Sequence, residues 1–162
     1  AQDEVYARVQ YLLLVKWERE VDCVACELGL LRWNKWGRAA TAAGVSEALA
    51  RIPELLQELL GNVIVPGDEQ DFNQSLERAG RVSDFLEFGE LMCADALARD
   101  ESCGGHFREE HQTPDGEALR DDEHFAAVFA GEYQGNGQTA APKLHREPLE
   151  FETIALTQRS YK

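Results

Sequence analysis

Ala79-Gly80-Arg81-Val82-Ser83-Asp84-Phe85-Leu86-Glu87-Phe88-Gly89-Glu90-Leu91-Met92-Cys93-Ala94-Asp95-Ala96 is the stretch on which the fold turns. Ala79, Val82, Leu86, Gly89, Cys93 and Ala96 recur at 3-4-3-4-3 spacing, which puts them on one face of an α-helix. Phe85, Phe88 and Met92 form a second apolar stripe alongside. Small residues at Gly80, Gly89 and Ala96 let neighbouring helices approach closely, and the phenylalanines are expected to fill gaps beside them. The pattern predicts a helix from Asp71 or Phe72 to about Arg99, a rod of about 42 Å at 1.5 Å rise per residue. Such a rod needs antiparallel neighbours.

Of three helical segments upstream, the second and third can supply them. From about Asp3 to Glu20, Tyr6, Val9, Leu13 and Trp17 share a helical face, with Val5 and Leu12 beside them. A second helix is predicted after Asp22, a good N-cap residue, and runs to Gly37. It carries Leu28 and Leu31, together with Cys23, Cys26, Leu30 and Trp33 at the spacing of a packed seam. Gly37 to Gly44 reads as a connector, Ser46 as the cap of a third helix, and Leu49, Ile52, Leu56, Leu59 and Val63 as its apolar face. Pro53 is expected to bend that helix, because proline removes a donor and clashes with the preceding turn. Gly61-Asn62 and Pro66-Gly67 mark the exit. The expectation is a mainly α fold: residues 1–101 as an antiparallel, spectrin-repeat-like three-helix bundle.

Residues 102–162 differ in character. Glu101-Ser102-Cys103-Gly104-Gly105-His106-Phe107-Arg108-Glu109-Glu110 cannot extend a helix well, since each glycine there costs about 1 kcal/mol relative to alanine. The helix is therefore expected to stop near Glu101, and the chain to turn sharply. Thr113-Pro114-Asp115-Gly116 has the residue types of a β-turn. Phe125 to Tyr133 and Leu149 to Leu156, separated by Gly135-Asn136-Gly137, predict a short β-hairpin in an irregular tail. A lone hairpin is marginal in water, so the tail is expected to pack on the bundle as part of one structural domain, or on a missing partner.

Composition narrows the function classes. At 162 residues with a net charge of −14, the chain lacks the clustered Lys and Arg that nucleic-acid binding requires. Acid is concentrated between Asp84 and Glu123, either as a solvated face or as a surface for a basic partner. No apolar run approaches the roughly 18–20 residues of a membrane span. The chain does not begin with Met and reads as a piece of a longer polypeptide. Four cysteines, Cys23, Cys26, Cys93 and Cys103, are too few for a disulfide scaffold and suit a reducing compartment. Cys23-Val24-Ala25-Cys26 lacks the second pair of a zinc site, and both cysteines are expected to pack in the core.

His106 and Arg108 stand out as candidate contact residues. Either they reach from the turn to another domain or subunit, or His106 closes the helix C-terminus while Arg108 pairs with Glu109, Glu110 or Asp121 at the surface. Cys103 beside His106 raises a Cys–His nucleophile, and Cys103, His106 and His111 a zinc site; neither has the further groups it would need. The two tryptophans closing the second helix are expected to pack in the core or against another domain, Trp33 on the packed seam and Trp36 as the better candidate for an exposed contact.

The chain resembles the C-terminal helical domain of bacterial succinate dehydrogenase and fumarate reductase flavoprotein subunits. The Glu101 to Glu110 block carries the resemblance, together with Gly29 to Gly37 ending in Trp33-Asn34-Lys35-Trp36-Gly37, Phe72 to Glu77, Ala79 to Val82 and Asp84 to Leu91. Asp95-Ala96-Leu97, Arg120 to Glu123, Glu132-Tyr133, Phe151-Glu152 and Gln158 to Lys162 complete it, from about residue 25 onwards. Many relatives have arginine where Cys103 stands, and Gly105 widens the turn, so no role of that arginine transfers. The resemblance implies a flavoprotein whose FAD, on a separate N-terminal domain, oxidises succinate to fumarate. Electrons then pass through an iron-sulfur subunit towards a membrane anchor and quinone, with the flavoprotein peripheral at the cytoplasmic face of the inner membrane. It implies no catalytic residue and no cofactor or metal ligand in this chain, and makes Cys103, His106, Arg108 and Trp36 candidate interdomain or subunit contacts. A free-standing adaptor bundle with a basic partner and the C-terminal domain of L-aspartate oxidase are the rival readings.

Overall fold

Ala79, Val82, Ser83, Leu86, Gly89 and Cys93 form the buried face of helix α4, which spans Gln74–Ala98. The Asn73 side chain caps it, Oδ1 accepting from the Leu76 amide at 3.0 Å. The computed structural model describes residues 2–14, 19–37, 39–67, 72–134 and 142–157. Before α4 come α1 (Gln2–Leu14), β1 (Arg19–Glu20), α2 (Val21–Lys35), α3 (Ala42–Asn62) and β2 (Val63–Ile64); after it come α5 (Asp122–Phe125), β3 (Ala127–Glu132) and β4 (Lys143–Pro148). The chain divides into two units, Ala1–Leu97 and Ala98–Lys162.

In the first unit, side-chain pairs fix the directions of the helices. Lys35 meets Glu47, Glu27 meets Arg51, and Arg19 meets Glu58, so α3 runs antiparallel to α2. Asp22 pairs with Arg78 at 3.3 Å. A Cβ at Gly89 would lie 3.7 Å from Leu28 and 3.9 Å from Trp36, so α4 runs parallel to α2. The result is the expected up-down-up arrangement. Its core joins Val24, Val45, Ile52, Leu55, Leu59, Leu86 and Cys93, all fully buried. Burial pushes the Cys93 thiol up to about 12, with Glu90 adding to the shift. From α1, Leu12 enters the core, while Arg8 reaches Ser83, Asp84 and Glu87 on α4. The two short strands pair in parallel, Arg19 with Val63 and Glu20 with Ile64.

Several expectations are corrected here. α1 ends at Leu14, and Trp17 lies outside the described residues. α2 begins at Val21 with Glu20 as N-cap and no side-chain cap bond, so Asp22 falls inside the first turn. Thr41, not Ser46, caps α3: its Oγ1 accepts from the Gly44 amide at 3.0 Å, while Ser46 donates to the Ala42 carbonyl within the helix. α3 is a single 21-residue helix with Pro53 inside it.

The largest correction concerns α2. Cys23 and Cys26 are exposed, as are Leu30 and Trp33, whereas Trp36 is buried. Trp33 is 73% exposed and Trp36 7%, the reverse of the expected roles. Trp33 follows Val24 by about two and a half helical turns, so it points away from the core. Trp36 stands at the C-cap, where its amide donates to the Arg32 carbonyl and its ring swings onto Gly89. Its Nε1 is buried with no hydrogen-bond partner among the described residues. On α4, Phe85, Phe88 and Met92 are likewise exposed rather than filling gaps.

In the second unit β3 and β4 pair antiparallel from Ala127 with Pro148 to Glu132 with Lys143. β3 falls where it was expected. Its partner is the charged Lys143–Pro148, not Leu149 to Leu156, which forms no strand. Every residue of β4 is exposed, so no alternation of apolar and polar residues marks it. Main-chain bonds and cross-strand pairs, such as His145 with Glu132 at 2.5 Å, hold it instead. The loop at Gly135-Asn136-Gly137 lies outside the described residues.

Candidate functional site

Once α4 ends, the chain folds back through two tight turns. Gly104 has φ +60° and is the first central residue of a reverse turn in which the His106 amide donates to the Cys103 carbonyl at 3.1 Å. The Cys103 amide returns a bond to the His106 carbonyl at 2.8 Å. A positive φ followed by a negative one is the pattern of a type II′ turn, for which glycine at the first position is suited. The second turn is the expected Thr113 to Gly116, closed by the Gly116 amide on the Thr113 carbonyl at 2.9 Å. Ser102 donates its amide to the Leu119 carbonyl, and Leu119 donates to His111.

Two side chains that composition did not single out organise these turns. Glu101 is 2% exposed, yet its carboxylate is fully engaged. One oxygen accepts from Arg99 Nε at 2.9 Å and Nη2 at 2.7 Å, the other from the Asp121 amide at 2.9 Å. Ser102 is completely buried; its Oγ accepts from the Arg108 amide at 2.8 Å and donates to the Arg108 carbonyl at 3.1 Å. Buried polar groups cost free energy unless they are bonded, and here the bonding defines the loop. The sequence signal was present, a carboxylate and a hydroxyl directly after a helix end, but their partners lie up to 20 residues away.

The candidate residues separate on this frame. Arg108 is 2% exposed and pairs with Asp100 at 3.5 Å and Glu110 at 3.3 Å. Glu110 was among its expected partners, but the guanidinium is buried rather than at the surface. His106 is half-buried, its Nε2 donating to the Arg99 carbonyl at 2.8 Å, which matches the reading in which it closes the helix end. His111 Nε2 lies 2.8 Å from Asp100 Oδ1. Cys103 is half-buried and held by its backbone. An open depression beside the turns is lined by Asp100, His111, Leu119, Arg120, Asp121 and Asp122. Among the described residues no three His, Cys, Asp or Glu side chains come together to hold a metal ion, and no helix is long and apolar enough to cross a membrane.

The entry from β1 into α2 does not fit an FAD pyrophosphate. A dinucleotide site uses a glycine-rich turn between a strand and a helix N-terminus. β1 instead runs directly into α2 with Glu20 at the N-cap and Asp22 in the first turn, which opposes a bound anion.

The family described as fumarate reductase flavoprotein C-term matches residues 26–161. The chain belongs to that family. Among solved structures, an E. coli quinol fumarate reductase superposes with a TM-score of 0.74 at 21% identity, over 97% of this chain and 26% of that one. A quinol-fumarate reductase with menaquinol molecules gives 0.76 at 21% identity, over 95% and 25%. Mycobacterium smegmatis Sdh1 in complex with UQ1 gives 0.69 at 22% identity, over 93% and 24%. At such identities the likeness speaks for the fold. The family member described here thus spans about a quarter of the length of those chains. No curated protein matches it by sequence.

Proposed function

We propose that this chain is the C-terminal part of the flavoprotein subunit of a succinate dehydrogenase or fumarate reductase, and that its role in that enzyme is architectural. The family match over residues 26–161 carries the reading; the solved neighbours, each about four times as long, support it. The interconversion of succinate and fumarate, and the FAD that accepts the electrons, belong to the remainder of the subunit. Electrons leave through an iron-sulfur subunit towards a membrane anchor and quinone, with the flavoprotein peripheral on the cytoplasmic face of the inner membrane. The turn after α4 contributes a contact to the flavin domain or the iron-sulfur subunit. In it Cys103 and His106 are half-buried beside the exposed Gly104 and Gly105, and Arg108, paired with Asp100 and Glu110, holds its shape. Expression of the complete reading frame alongside the 162-residue chain tests this. The longer protein is expected to carry stoichiometric flavin absorbance and the shorter none; flavin bound by the short chain, or by neither, would overturn the proposal.

A further inference from the structure

Resting on the reading above, we infer that the outward face shared by α2 and α4 is the surface against which the flavin-bearing remainder of the subunit packs. The Asp22–Arg78 ion pair, 3.3 Å long, marks the seam between these parallel helices. Residues 4, 7 and 11 beyond Asp22 are Cys26, Gly29 and Trp33, and residues 7 and 14 beyond Arg78 are Phe85 and Met92. Helical periodicity returns each set to the side of its helix that carries the ion pair. Gly29 leaves the middle of the seam open, with no atom within 4 Å of where its Cβ would stand. Leu30 and Phe88 flank it, and Leu30, Trp33, Phe85 and Phe88 are each more than half exposed.

Scattered exposed apolar residues need no explanation, whereas a contiguous set marks an interaction surface. Here the set lies on two helices at core-like spacing, with Arg32 and Arg81 as exposed charges among its apolar members. In the solved relatives about three quarters of the polypeptide lies outside the part this chain matches. A partner in the same polypeptide is held at high effective concentration, so a surface of modest area suffices.

The native cysteines report on the face. Maleimide labelling of Cys23 and Cys26, resolved by peptide mass spectrometry, is compared between the 162-residue chain and the FAD-loaded longer subunit. Cys26 is expected to label roughly tenfold or more slowly in the longer protein, a difference equivalent to about 1.4 kcal/mol of protection. Trp33→Asp is expected to restore fast labelling there. Equal rates in a longer protein that binds flavin would overturn the docking face alone. A longer protein without flavin would remove the reading beneath it, and the inference with it. Protection that appears in the short chain as its concentration rises would assign the face to a second copy and also overturn the inference.

Discussion

The Ser102 hydroxyl grips both polar groups of one residue, accepting from the Arg108 amide at 2.8 Å and donating to the Arg108 carbonyl at 3.1 Å. The carbonyl keeps a second partner, the His111 amide at 2.9 Å. Ser102→Ala therefore orphans chiefly the buried Arg108 amide, at an expected cost of about 1–3 kcal/mol. Urea melts of the variant beside Ser46→Ala, an exposed helical serine, check this; equal midpoints would mean the loop does not depend on the hydroxyl.

Arg99 and Glu101 form an unequal pair, with side chains 32% and 2% exposed. Removing the arginine leaves the buried carboxylate with the Asp121 amide alone, and removing the carboxylate leaves an arginine that water can reach. Arg99→Met is expected to cost about 1–3 kcal/mol near neutral pH, and Arg99→Met with Glu101→Leu to recover part of that loss. Denaturant midpoints of the single and double variants give the answer directly.

The two tryptophans at the end of α2 should differ sharply. Trp36→Ala empties core volume against Gly89, with an expected loss of about 3–5 kcal/mol. Trp33→Ala touches an exposed position and is expected to stay within about 0.5 kcal/mol in this chain. Thermal melts of both distinguish the observed arrangement from its reverse.

Gly89 faces Ile52, Leu28 and Trp36, and a Cβ there would meet them at 3.6, 3.7 and 3.9 Å, ordinary contact distances. Gly89→Ala should thus be tolerated, and up to about 1 kcal/mol stabilising through helix propensity. Gly89→Leu overfills the same space and is expected to destabilise by about 1–3 kcal/mol.

Two carboxylates pull the pH dependence in opposite directions. Hydrogen bonds from Arg51 and then Arg19 hold Glu27 below the usual value of 4.5. The unfolded chain then binds the extra proton, so this stability is present above pH 4.5 and is lost as the pH falls through the lowered folded value. Glu90 is raised above 4.5 by burial, and further by Glu87. Its contribution is full below 4.5 and disappears as the pH rises through the raised folded value. Glu90→Gln is expected to gain a few tenths of a kcal/mol, about 0.3, at neutral pH, and nothing in acid. Arg51→Met should flatten the acid limb. Melting temperature followed across pH measures both.

Sequence alone located the working face of α4, because Ala79, Val82, Leu86, Gly89 and Cys93 obey one period and all are buried. It also located the Thr113 to Gly116 turn, whose residue types demand that conformation. It placed the Cys23, Cys26, Leu30 and Trp33 stripe of α2 in the core, where the structure exposes it: periodicity says which residues share a side, not which side is chosen. Val21 and Val24 occupy the interior, leaving Cys26 and Trp33 outside. β4 was illegible because a strand exposed on both faces has no pattern to read. Glu101 and Ser102 were missed as organisers because their bonds join residues far apart in the chain.

Because Arg19 lies beside Val63 and Glu20 beside Ile64, the α2–α3 hairpin is fastened where its two legs enter and leave. Neither leg can peel away without opening that clasp, so the amides of residues 20 and 64 should exchange with solvent in step. A strain applied to either end of the hairpin is then carried by both helices at once.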